Sequence, residues 1–364
     1  MLVLNLTLAA KNKHKIFTVA IILSAVIFLN GCFSPKVSKD TAIVPRFENA
    51  SKEQLIEEAN RFSKVTSMRA DMTLEFEDTS SAGIGKSEKY QKAPTQIVVQ
   101  RPSNVYLKIE APVVKIDIAQ MTSNGKSFRV AVLEDGGSGK LKKFLIGSND
   151  ADYSPLQKAV SDMDTSGSDK ETIAKKNASA FSNVRPQHFT DALLIQPLHS
   201  DSDQFYYVQS EFFQEEGDPT SKKSAPVSRI KNSYYILEEL KKKGNDLVLT
   251  RRFWFGRIGR VILARQQLFA EDGTLESDIA YGNSGRFTET GEYILPLRIT
   301  LVRPKDNYKM DLTYNKPEAV IIGKAWNEEI FTLKNRWNLS EVDLDKKLEE
   351  MKKNGTQAAA GDKQ

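Results

Sequence analysis

The sequence predicts an α+β fold: a curved antiparallel sheet, left open rather than closed into a barrel, with helices laid over its apolar face. Three observations predict it. First, Thr95 to Glu134 alternates with period two. Val105, Leu107 and Ile109 alternate with Tyr106, Lys108 and Glu110; Ile116 and Ile118 with Lys115 and Asp117; Phe128 and Val130 with Arg129 and Ala131. Side chains on a strand point to opposite faces in turn, so this pattern means one buried face and one wetter face. Second, segments of this kind recur in both halves of the chain, on the order of ten short strands with few helices. Third, Leu55, Ile56, Ala59, Phe62 and Val65 recur at helical spacing and make one apolar stripe able to cover such a face.

The chain of 364 residues is 40% hydrophobic and 27% charged, ordinary composition for one large domain or two small ones. Lys11, Lys13 and Lys15 are the only charged residues before Ile16–Leu29, an apolar run of 14 residues. A basic segment followed by a short apolar one reads as a secretory signal, and a membrane-spanning helix needs about 20 residues. Leu29-Asn30-Gly31-Cys32 follows. It looks like a bacterial lipobox, in which the peptide is cut before the cysteine and lipid is attached to its thiol. Cys32 is the sole cysteine, so disulfides and multi-cysteine metal sites within one chain are excluded. Two or more acyl chains hold a protein stably to a bilayer. The expected organisation is a signal over 1–31, a lipid-anchored tether over 32–49, a domain over 50–335 with a polar insertion at about 135–204, and a charged helix with a disordered tail over 336–364.

In order, Ser51 with Gln54 gives a capping-box start to the first helix. Met68–Glu77 reads as the first strand, with Met72, Leu74 and Phe76 on one face. Pro102 and Pro112 lack an amide donor and mark strand ends. Asn124-Gly125 suits a tight hairpin. Asp135–Gly139 breaks the pattern, Asn149–Asn183 is polar with a short helix around Pro155–Met163, and Arg185–Ile195 reads as a second helix. Strands resume at Phe205–Phe213. Ile230–Leu240 and Leu247–Phe255 form a hairpin. Val261–Phe269 leads through Glu271-Asp272-Gly273 into Leu275–Tyr281, then Tyr293–Val302 and Tyr308–Tyr314. Ser340–Asn354 is a charged helix.

Little in the chain suggests catalysis. His188 and His199 stand apart from any carboxylate at ligand spacing, and His14 lies in the signal. Gly83–Ser87 ends in Gly-Lys-Ser but lacks the earlier glycine of a phosphate loop. No Gly-x-Ser-x-Gly elbow is present. The near-neutral mature chain has no aromatic-interleaved basic stripe, which argues against nucleic acid. Arg251, Arg252, Arg257 and Arg260 around Phe253-Trp254-Phe255 read either as a headgroup or partner patch or as a solvated strand face.

Several stretches together resemble the periplasmic lipoprotein carriers and receptors of the LolA/LolB-like family. They are Val65-Thr66-Ser67-Met68-Arg69-Ala70, Val99-Gln100-Arg101-Pro102-Ser103-Asn104, Ser123-Asn124-Gly125-Lys126-Ser127-Phe128, Leu295-Pro296-Leu297-Arg298-Ile299 and Arg303–Tyr308. The resemblance implies a strongly curved antiparallel sheet, an open half-barrel lidded by helices, whose hollow takes up acyl chains without covalent chemistry or a cofactor. The lining would comprise Leu55, Phe62, Leu74, Phe76, Val105, Leu107, Ile109, Ile116, Ile118, Phe128, Val130, Leu297 and Ile299. Arg101 falls where the carriers place a lid latch. The family's receptors expose an apolar loop residue, and here the loop after Phe76 offers Ile84. Expected partners are lipid or lipidated protein cargo, the membrane through Cys32, and an envelope protein. The expected place is the cell envelope, at the outer membrane facing the periplasm. Two rivals stand beside this reading: an assembly or scaffold protein with a filled core that docks an envelope partner by its sheet, and a hydrolase.

Overall fold

A computed structural model describes residues 44–361 except 80–87, 90–91, 113–114, 136–138, 140–141, 154–155, 157–183, 200–202 and 218–228. The signal, Cys32, the start of the tether, Ile84, Gly83–Ser87 and most of Pro155–Met163 lie outside the described residues. The described residues of 44–215 and 231–361 form one compact unit.

Helix α1 (Lys52–Arg61) begins as its capping residues dictate. The Gln54 amide donates to Ser51 Oγ at 3.3 Å, and the Ser51 amide donates to Gln54 Oε1 at 2.8 Å. A 3-10 turn, Phe62–Lys64, continues it. The chain then forms β1 (Ser67–Asp78), β2 (Glu88–Lys89), β3 (Ala93–Gln100), β4 (Asn104–Glu110), β5 (Asp117–Asn124), β6 (Ser127–Val132) and β7 (Lys143–Ser148). Helix α2 (Pro186–Leu193) follows, started by a proline in its first turn. Then come β8 (Phe205–Gly217), β9 (Arg229–Lys243), β10 (Asp246–Gly256), β11 (Ile262–Phe269), β12 (Leu275–Tyr281), β13 (Ser284–Phe287), β14 (Tyr293–Pro296), β15 (Arg298–Arg303), β16 (Tyr308–Tyr314), β17 (Ile321–Ile322), β18 (Ser340–Asp343) and helix α3 (Leu344–Gly361).

One large curved sheet runs in the order β18-β7-β6-β5-β4-β3-β1-β16-β15-β12-β11-β10-β9-β8, with β2 and β17 also pairing β1. It does not close into a barrel. The two halves meet where β1 pairs β16, with Met72 opposite Tyr314, Leu74 opposite Leu312 and Phe76 opposite Met310. The expectation of a purely antiparallel sheet is corrected at one edge, because β18 lies parallel to β7. The chain reaches β18 by a long return, so nothing forces the reversal that a hairpin imposes.

Three further differences have local causes. Part of the stretch expected as a polar insertion belongs to the main body: β7 pairs β6, and α2 packs on β3, β4 and β5. The charged C-terminal helix is preceded by a strand, and α3 returns Leu348, 7% exposed, to the core. Tyr293–Val302, expected as one strand, is split at Leu297. Its first part pairs β13 in a separate two-stranded sheet, and its second pairs β12 and β16. Gly285 permits that split, because a Cβ there would stand 2.5 Å from Leu297 Cδ2.

The core lies on the concave side. From β4 and β5 it takes Val105, Leu107, Ile109, Ala119 and Met121; from β1 and β16, Leu74, Phe76, Met310 and Leu312. The other face of β6 and β7 is also covered. Ala131 and Phe144 pack with Leu333, and Trp337 and Leu339 lie against them. Thr122 Oγ1 accepts the Leu333 amide at 2.9 Å, and Arg129 donates to the Leu333 carbonyl at 3.0 Å.

Candidate functional site: the seam between the two helices

The helices divide the concave face between them. Helix α1 buries Leu55, Ile56 and Ala59 and lies by β11, where its Glu58 accepts the Leu263 amide at 3.3 Å. Phe62, just beyond it, meets Tyr281 of β12 with ring centroids 5.8 Å apart. Helix α2 buries Phe189, Ala192 and Leu193 against the other half-sheet. Where the two covers meet, the strap Leu194–Leu198 leaves α2, and polar side chains hold it from three directions.

From the β3–β4 turn, Arg101 donates to the Ile195 carbonyl at 2.7 Å, the Leu194 carbonyl at 3.4 Å and the Val65 carbonyl at 3.0 Å. It thus ties the end of α2 to the end of the segment carrying α1. Carbonyls at a helix C-terminus lack intrahelical partners and carry the negative end of the dipole, so a guanidinium suits them. Partial burial strips water from this cation and lowers its pKa from the usual arginine value. From β10, Arg251 donates to the Gln196 carbonyl at 2.7 Å and the Pro197 carbonyl at 3.3 Å, while Glu239 holds its guanidinium in a buried pair. From α1, Asn60 donates to the Leu198 carbonyl at 3.0 Å and accepts the Leu198 amide at 2.7 Å.

Under α2, His188 and Tyr308 are buried and hydrogen-bonded to each other. Burial first, then Arg303 and Arg185, holds the His188 ring well below the usual histidine value, so it stays neutral. Burial pushes Asp191 on the same helix up to about 6, against the pull of Arg303. These groups sit within packing. Among the described residues no group of His, Cys, Asp and Glu has the geometry of a metal site.

The expected lining residues are mostly brought together. Leu55, Phe62, Leu74, Phe76, Val105, Leu107, Ile109, Phe128, Val130 and Ile299 are buried in one cluster, with Ile118 and Leu297 partly buried against it. Ile116 is not among them: it is 48% exposed and precedes β5. The reason is register. Ile109 opposes Ala119 and Glu110 opposes Asp117, so Ile118 is the extra residue of a bulge, which breaks the alternation. Ala119 and Met121 take the inward places instead.

At the described residues the side chains of this cluster are almost wholly withdrawn from solvent. Two surface hollows lie elsewhere. One of about 160 Å³ is lined by Arg69, Ala70, Asp71, Lys316, Ala319 and Ile321; one of about 210 Å³ lies by Lys241–Lys243, Val248, Thr250, Phe269, Ala270 and Glu271. Neither lies between α1 and the sheet.

The arginine group around Phe253-Trp254-Phe255 is not one patch. Arg251 faces inward. Arg252 pairs with Glu238. Arg257 is buried and donates to Glu211, Asn49, Ser233 and the Glu48 carbonyl. Only Arg260 of the four is exposed. Arg251, Asn60 and the strap are not legible in the sequence as one unit. The acceptors are main-chain carbonyls, which leave no mark on residue type.

No family model matches the chain, and no curated protein matches it. Solved structures of similar arrangement include a DUF1329 family protein from Desulfovibrio piger (12% identity, 76% of this chain and 94% of that one, TM-score 0.39). A LolA superfamily protein from Nitrosomonas europaea is similar over 78% of this chain and 99% of its own (12% identity, TM-score 0.38). A domain described for outer membrane lipoprotein sorting, from Vibrio parahaemolyticus, is similar over 77% and 95% (8% identity, TM-score 0.36).

Proposed function

We propose that this protein is a lipid-anchored component of the bacterial envelope, held to the outer membrane through Cys32, that shelters an acyl chain or another apolar ligand beneath its two helices. The arrangement described above is the closed form. The observation that carries the reading is the strap. Its clamps are polar side chains donating to main-chain carbonyls, and each net hydrogen bond of this kind contributes about 0.5–3 kcal/mol. A few such bonds can be released together, after which α2 lifts and the apolar residues beneath it become available. Hydrocarbon entering there gains about 0.8 kcal/mol per buried methylene, enough to offset the lost bonds. Arg101 is the latch in this scheme and Arg251 its counterpart on the other half-sheet. In this scheme the ligand is carried or handed on unchanged. Lipid or lipidated protein is the cargo that fits.

The burial of the expected lining residues in one cluster favours a second reading: an envelope scaffold that docks a partner and takes up nothing. Native mass spectrometry of a Cys32→Ala chain, with titration of a fluorescent fatty acid, separates the two. Carriage predicts bound lipid and saturable uptake, faster in Arg101→Leu. A clean unliganded mass, with no uptake by either chain, leaves the scaffold standing.

A further inference from the structure

The described chain enters at one corner of the sheet. Phe47 forms an isolated bridge with Ile258 just beyond β10, and its ring meets Phe213 of β8 at 6.0 Å. The Glu48 amide donates to the Arg257 carbonyl at 2.8 Å, and the Arg257 side chain returns a bond to the Glu48 carbonyl at 2.9 Å. Entry is therefore fixed. Around it stand four apolar side chains in water: Val44 at 64% exposed, Phe213 at 48%, Ile258 at 45% and Phe212 at 38%. β8 is the terminal strand of the sheet. Cations accompany them. Lys231 Nζ lies 5.3 Å from the Phe213 ring centroid, and Arg46 and Arg260 are exposed. The carboxylates of Glu48 and Glu211 already face Arg46 and Arg257.

Exposed aromatic and aliphatic side chains ringed by long cations match a bilayer interface, where rings sit at headgroup level and cations reach the phosphates. The chain outside the described residues brings the bilayer here. From Cys32 to Val44 is a span of about 12 residues, which reaches at most roughly 40 Å when extended. We propose that this corner, Val44, Phe212, Phe213 and Ile258 with Lys231 and Arg260, rests on the surface of an anionic phospholipid bilayer and orients the protein on it. The proposal rests on the Cys32 anchor of the preceding reading. It adds a second contact, at a sheet edge far along the chain from the loop after Phe76.

The test uses the acylated full chain purified from membranes. Its lipidated Cys32 has no free thiol, so an introduced cysteine is the sole labelling site. Ile258→Cys and, at the opposite end of β10, Leu247→Cys, equally apolar and 51% exposed, each receive a polarity-sensitive fluorophore. Both are reconstituted into vesicles of phosphatidylethanolamine and phosphatidylglycerol. The expected result is a several-fold brighter, blue-shifted signal at position 258 and none at 247, with the 258 signal reduced in a Lys231→Glu, Arg260→Glu background. Equal responses, no response at 258, or a larger one at 247 overturns the proposal. Intact mass reports the anchor separately. If Cys32 proves unmodified, that reading fails. The 258 label on a Cys32→Ala chain added to the same vesicles then decides whether the corner binds lipid unaided: a blue shift supports it and none overturns it.

Discussion

The half-sheet from β1 to β7 and the half-sheet from β8 to β12 carry similar strands but are covered differently. In β5 the five residues Ala119–Ser123 are all buried. One face meets the core and the other meets the segment around Leu333. In β9 the buried residues are Ser233, Tyr235, Leu237 and Glu239, every second position, and the residues between them are only partly buried. A strand covered on both sides loses its alternation, and a strand covered on one side keeps it. Around β5–β7 the first half is thus three layers deep. The second keeps an outer face on which Trp254 packs edge-on with Phe212 and Tyr234.

The largest test of this contrast compares alanine truncations on the two outward faces. Phe144→Ala removes a 2%-exposed ring from the outer layer of the first half and should cost about 3–5 kcal/mol in denaturant unfolding. Ile236→Ala, on the outer face of the second, should cost less than about 1 kcal/mol. Similar losses would mean that the second half is covered too. A smaller test stays within β10. Arg251→Met strands Glu239, whose side chain is 3% exposed, and should cost about 3 kcal/mol. Arg252→Met, one residue on and facing the other way, breaks a pair about 30% exposed. After allowance for solvent screening it should cost under about 1 kcal/mol. Thermal melts of both variants check the order.

The smallest effect concerns pH and α3. Burial raises the Asp345 carboxyl, but the bonds it accepts from Ser148 Oγ, at 2.6 Å, and from Tyr153 outweigh that and hold it below the usual aspartate value. A depressed folded-state value means the carboxylate stabilises fully above the unfolded value of about 4. That stabilisation is lost as pH falls through the folded one. Amide protection factors in α3 and β18, corrected for the intrinsic slowing of exchange in acid, should therefore fall on acidification ahead of those in β10. Asp345→Asn should abolish the difference at mild acid pH. A profile in which both regions loosen together would contradict the assignment.

The sequence made the strands legible where one face alone is buried. Tyr308, Met310, Leu312 and Tyr314 line up inward as their alternation predicts. Ser51 and Gln54 gave the helix start by local chemistry alone. β7 is not legible, because Lys143–Ser148 is short and follows a polar run, so its burial comes from tertiary neighbours. The outer cover is legible in part. Ala325–Leu333 reads as one more packing segment, but Phe331, Leu333, Trp337 and Leu339 follow no helical or strand period, so only tertiary packing selects which face they meet. Arg101 stands out only through the family resemblance. Its partner Arg251 looked like one arginine among four, because chain direction and strand face decide which of them turns inward.

The parallel edge pair has a consequence for how the molecule comes into being. Phe144 and Glu341 are neighbours across that pair, although roughly two hundred residues separate them, and contacts of such span form late and slowly. Until residues 340–343 arrive, β7 presents a bare row of amides and carbonyls, the kind of border that recruits stray strands. A newly made chain thus spends an interval in which that border is able to pair with neighbouring strands.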